Sequence, residues 1–203
     1  MTNIRSFIYS LLGCVCLAFT RAMIPITDNQ SPAGPRVVPM AVDTIDLSKF
    51  PISEKPLAAF PIFAPPAGVT TLNKPITREF DRLFFPTKEG MILLEGTVYK
   101  TFLISETGKE WSLAYVEKNY RDLITAAGGL LIFQGKVSPR ELDKIKDEAT
   151  YFGEEGSIDY PNNPVKVYAI RRKDGDHVFV QLSGNSAGAA VQILQFPKVE
   201  VKH

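Results

Sequence analysis

The clearest alternation of apolar and polar positions runs through residues 111–134, WSLAYVEKNYRDLITAAGGLLIFQ. Leu113, Val116, Tyr120, Leu123 and Ala127 recur at spacings of three and four, which sets one apolar stripe along a helix. Glu117, Lys118, Arg121 and Asp122 fall on the other side, where water solvates them. Ser112 is a suitable N-cap, with Thr107 and Glu110 as a competing capping box. Gly128 and Gly129 end the helix because glycine lacks the Cβ that disfavours left-handed backbone. Leu130-Leu131-Ile132-Phe133 follows at once and reads as a short buried strand.

Upstream, residues 69–72, 80–85 and 91–105 read as strands, with Gly96 marking a bulge in the longest. Downstream, Ser138-Pro139-Arg140-Glu141 supplies a cap, a proline at the first helical position and a glutamate at the third. The helix it opens, to about residue 149, is charge-rich and belongs on the surface. A glycine- and proline-bearing loop over residues 151–164 leads to a hairpin of strands 165–171 and 177–182 turning at residues 173–176. Residues 191–196 form a last strand or short helix. The pattern predicts an α+β fold: an antiparallel sheet with one main amphipathic helix packed on a face, plus a short surface helix.

The first sixty residues follow other rules. Arg5 precedes an uncharged run, FIYSLLGCVCLAF, over residues 7–19, and Thr20-Arg21-Ala22 puts small residues where a signal peptidase reads them. Residues 1–22 are therefore a secretory signal peptide, cut between Ala22 and Met23, with a core too short for a comfortable permanent span. Leu11-Leu12-Gly13-Cys14 also resembles a lipobox, so acylation at Cys14 is the alternative processing route. Residues 23–59 carry six prolines, among them Pro25, Pro39 and Pro56, and read as an extended lead-in. Residues 60–203 make a single domain. Because Cys14 and Cys16 both lie in the leader, the processed chain has no thiol for a disulfide, a nucleophile or a metal.

The formal net charge is +1, and loss of Arg5 and Arg21 with the leader leaves 21 basic against 22 acidic residues. That balance gives no electrostatic case for nucleic acid or an anionic membrane surface. Candidate chemistry is sparse. Gly184-Asn185-Ser186-Ala187-Gly188 matches the G-x-S-x-G elbow, which would make Ser186 a nucleophile. A serine needs a base oriented by an acid, and only His203 and Glu200 follow it in the order hydrolases use. Arg171, Arg172 and His177 make a basic hairpin tip that would suit an anionic ligand. Glu154, Glu155 and Asp159 read as a solvated acidic edge, and Trp111, Tyr115 and Tyr120 as core aromatics or a binding platform. One internal histidine with scattered carboxylates defines no metal site, and no cofactor motif is present.

The leader, an extended strand and then Ser112 opening the helix, the pair Asn119-Tyr120, Leu123, the Ala127-Gly128 turn and an apolar strand resemble a family. It is the N-terminal domain of uncharacterised bacterial envelope proteins of the OmpA family, many of which carry a C-terminal OmpA-like peptidoglycan-binding domain. FDRLFFP at residues 80–86 is similar to the upstream strand of such domains. The resemblance spans about residues 60–196 and stops short of the OmpA-like part, so peptidoglycan binding does not carry over. It implies a compartment, periplasmic or outer-membrane-associated, and a non-catalytic binding or scaffolding role. The partner would be an envelope protein or other envelope component, with no transmembrane span after cleavage. The alternatives are a secreted serine hydrolase using Ser186, and a secreted effector that makes contact through its proline-rich arm.

Overall fold

The computed structural model describes residues 45–147, 153–173 and 175–196. The leader, the Ala22–Met23 junction, Cys14 and His203 lie outside them. In chain order the strands are β1 (Ile52–Ser53), β2 (Val69–Thr71), β3 (Ile76–Pro86), β4 (Met91–Ser105), β5 (Leu130–Gly135), β6 (Val165–Arg172), β7 (Val178–Gly184) and β8 (Ala189–Gln195). Helix α1 (Leu113–Ala126) precedes β5, and α2 (Pro139–Ile145) follows it.

The spine of the sheet is β6-β7-β8-β4, all antiparallel. The far side of β6 is shared between antiparallel β5, opposite residues 165–169, and parallel β1, opposite Arg171 and Arg172. The far side of β4 is shared between β3 and β2, both antiparallel to it. Residues 45–59 are thus part of the fold from Leu47 onward, which is buried.

Both sides of this sheet are covered. Val116, Tyr120 and Ile124 of α1 pack on Tyr168, Ile170, Val180, Val191 and Ile193. On the opposite side β8 pairs only with residues 97–103 of β4, so the earlier part of the β3–β4 hairpin runs past it. That free length curls over the sheet, bringing Leu83, Phe85, Ile92 and Leu94 against Val165, Val167, Phe179 and Leu194. The result is a half-barrel.

The α+β expectation is therefore corrected: the described residues form a mostly-β fold, eight strands in a curled mixed sheet with two short helices of 14 and 7 residues. The reason is visible in β7 and β8, where six consecutive residues of each are buried. Strands covered on both faces lose the alternation that marks a one-sided sheet.

Three local readings change as well. The buried stripe of α1 is Val116, Tyr120 and Ile124, four apart, while Leu123 is 45 % exposed. The bulge sits in β3 between Arg78 and Asp81, across from the Gly96 region. The apolar strand β5 is not buried but forms a margin of the sheet, with Leu130 and Leu131 exposed. The terminators behave as read: Ser112 Oγ accepts from the Tyr115 amide, and Gly128, at φ 84°, donates to Thr125 O at 2.9 Å. Ser138 caps α2 through the Glu141 amide.

Candidate functional site

Four residues opposite one another across the spine form a row: Val167 on β6, Gln181 on β7, Gln192 on β8 and Lys100 on β4. Three of the four are polar, and each of the three is at most 1 % exposed. A polar group in such a place is stable only if hydrogen-bonded. Residues 153–164 supply the partners, running over the row as a strap in the order of the strands beneath.

Over β4, Glu154 ion-pairs with Lys100 Nζ, and Asp81 lies 3.8 Å from the same nitrogen. Arg78 joins both acids, at 2.6 Å to Asp81 and 3.1 Å to Glu154. Over β8, Gln192 Nε2 donates to Gly156 O at 2.7 Å. Over β7, Gln181 Nε2 donates to Gln192 Oε1 at 2.7 Å and to Phe84 O at 2.9 Å, and the Tyr160 hydroxyl donates to Phe84 O at 2.8 Å. Phe84 belongs to the curled hairpin, so one network ties strap, sheet and hairpin together.

The strap lies flat on the sheet. Gly156 has φ 70°, and a Cβ there would fall 2.2 Å from the Thr101 amide nitrogen. Glu155 accepts from the Phe102 amide and from Asn73, each at 2.8 Å. Hydrogen bonding from Lys100, reinforced by Arg78, holds the Glu154 carboxyl below the usual glutamate range. The acidic residues read as a solvated edge are, at Glu154 and Glu155, half-buried latches.

The other candidates are dispersed. Ser186 is exposed at the β7–β8 turn, which Asn185 and Gly188 close through a 2.9 Å backbone bond. His177 stands at the opposite end of β7, and strand rise separates the two by far more than hydrogen-bond reach. A groove of about 260 Å³ does open beside the turn, lined by Leu72, Phe102, Ile104, Asp159, Asn185 and Gly188 among others, but Ser186 does not line it.

At the other end, Arg171 donates to Ser48 O and Phe50 O, and Arg172 to Ser53 O and Lys55 O. His177 Nδ1 accepts from the Arg172 amide at 2.9 Å. These guanidinium groups hold residues 48–55 against β6. The aromatics split too: Trp111 Nε1 donates to Asn185 O, the Tyr115 hydroxyl donates to Ala67 O, and Tyr120 is core.

Among the described residues no three His, Cys, Asp or Glu side chains cluster as metal ligands. No described helix is long and apolar enough to cross a membrane, a finding that does not concern strands. No family model, no curated protein and no solved structure matches the chain.

Sequence reasoning missed the polar row. Its trace is present in two matching triplets, Val180-Gln181-Leu182 and Val191-Gln192-Ile193, and in Lys100 set within an apolar run. Each is a lone polar residue where a doubly covered strand has no ordinary use for one.

Proposed function

We propose that the chain is an exported, non-catalytic binding or scaffolding module of the bacterial cell envelope, periplasmic or outer-membrane-associated. The observation that carries the reading is the leader: Arg5, the uncharged run at residues 7–19 and the small residues Thr20 and Ala22. The family resemblance at residues 112–133 supports the same compartment. The non-catalytic half of the reading draws on how the charged side chains are engaged. Lys100 and Arg78 both pair with Glu154 of the strap, and Arg171 and Arg172 hold the entering chain. The groove beside the β7–β8 turn is the concave surface an envelope component would meet.

Cell fractionation with intact-mass measurement tests the proposal. The expected result is a chain in the periplasmic or outer-membrane fraction that begins at Met23, or at an acylated Cys14. A full-length chain confined to the cytosol would remove the proposed address. The non-catalytic half is tested with a fluorophosphonate probe: no labelling is expected, and labelling that Ser186→Ala abolishes would make the protein a serine hydrolase.

A further inference from the structure

The two margins of the half-barrel differ in a way that folding alone does not require. The β3 margin carries Arg78, Glu79, Asp81 and Arg82 and is broken by its bulge. Its Phe84 carbonyl is taken by Gln181 and Tyr160. Charges, bulges and occupied backbone groups are how sheets keep edges from pairing with other chains. On the same side β2 is three residues long.

The β5 margin has fewer of these protections: a kink, and Lys88 of the turn between β3 and β4, which lines a shallow groove beside Leu131, Ile132, Phe133 and Gln134. Residues 129–135 contain no charge and no proline. Among the described residues β5 pairs with β6 alone, and no further backbone bond reaches its outer edge. The register shift between Leu131 and Phe133 leaves Ile132 without a Cα partner on β6. Leu130 and Leu131 are 41 % and 48 % exposed.

We infer that β5 is a self-association edge, and that its occupant is β5 of a second copy of this chain, paired antiparallel about a two-fold axis between Ile132 and Phe133. In that register Leu130 faces Gly135, which leaves it room, Leu131 lies along the aliphatic stem of Gln134, and Ile132 faces Phe133. A β-branched residue against an aromatic is a favourable cross-strand pair. A symmetric pairing sets every edge residue against its own sequence read backwards, which a charged edge tolerates poorly and an uncharged one accepts. The nearest charge along the chain, Lys136, would lie opposite Gly129, and the two Lys136 side chains fall at opposite ends of the ladder, beyond one Debye length (~8–10 Å). The guarded β3 margin offers an incoming β5 no head-to-tail partner, so association closes at two copies and does not grow into a fibre. This inference goes beyond the proposed envelope role and does not rest on it.

Sedimentation of the purified chain from micromolar to sub-millimolar concentration tests it. The expected result is a monomer–dimer equilibrium that Leu131→Lys weakens roughly tenfold or more. Gln134→Lys, at an exposed polar position, is expected to do the same without touching an apolar side chain. The pair Leu131→Lys with Gln134→Glu restores the dimer, because each new lysine then faces the partner copy's new glutamate. Thermal midpoints of all variants serve as the folding control. A chain that stays monomeric throughout overturns the inference, as does a dimer indifferent to both lysine substitutions. Failure of the charge pair to restore association overturns the two-fold register.

Discussion

The Tyr120 hydroxyl is buried with no hydrogen-bond partner among the described residues, in a ring 1 % exposed between α1 and the sheet. Burial, with the neighbouring Tyr99 adding to it, pushes that phenol well above the usual tyrosine range. Removing the orphan oxygen relieves a desolvation penalty and keeps the ring's packing. Tyr120→Phe is therefore expected to stabilise the fold by about 1 kcal/mol, ~2–4 °C in thermal midpoint for a chain of this size. A fall of similar size would mean that the hydroxyl has a partner. Gly156 lies at the other extreme, where any side chain meets the backbone of β4. Gly156→Ala is expected to cost roughly 2–4 kcal/mol in denaturant unfolding, from left-handed strain and the clash combined. At this scale the sequence is legible where local chemistry decides, as at Ser112, Gly128 and Ser138. Gly156 reads only as a loop glycine because its constraint comes from a strand more than fifty residues earlier.

Among the elements, the strap carries the most consequence. Its hold on the sheet runs through a lysine 1 % exposed, whose charge is stable there only while acids face it. Glu154→Gln is expected to destabilise by roughly 2–4 kcal/mol, below the range for a fully buried pair because Glu154 is about a third exposed and Asp81 remains. Lys100→Met in the same assay should fall within ~1 kcal/mol of the parent, since it removes the buried charge instead of orphaning it. Equal large losses in both variants would contradict this account of the network. The pH dependence follows from the lowered Glu154 pKa. Its contribution is fully present above the ordinary carboxyl value of 4.5 and is lost as pH falls through the lower folded value. Unfolding measured downward from pH 5 should show that loss, and Glu154→Gln should flatten it. The strap escaped sequence reading because its glycines, prolines and acids have the composition of a solvated loop. The polar row that holds it is spread over three strands.

For the molecule as a whole, the order of the elements from β2 to β7 and most of their ends could be read from periodicity and caps, while β1 and the closure of the sheet could not. A run such as Leu130-Leu131-Ile132-Phe133 has the same pattern whether it lies in the middle of a sheet or at its margin, and only pairing decides. β7 and β8 conceal their two-sidedness in the same way, by being apolar throughout. What emerges is a half-barrel with its loop 153–164 strapped across the sheet, one margin guarded by charge and the other, β5, open to a partner strand. Native-state hydrogen exchange followed by mass spectrometry in dilute solution tests this arrangement most directly. It should find the bonded amides of Ser157, Asn162 and Asn163 protected well beyond those of an open loop, and the outward amides of β5 exchanging much faster. The reverse order, a fast strap and a slow β5, would contradict it.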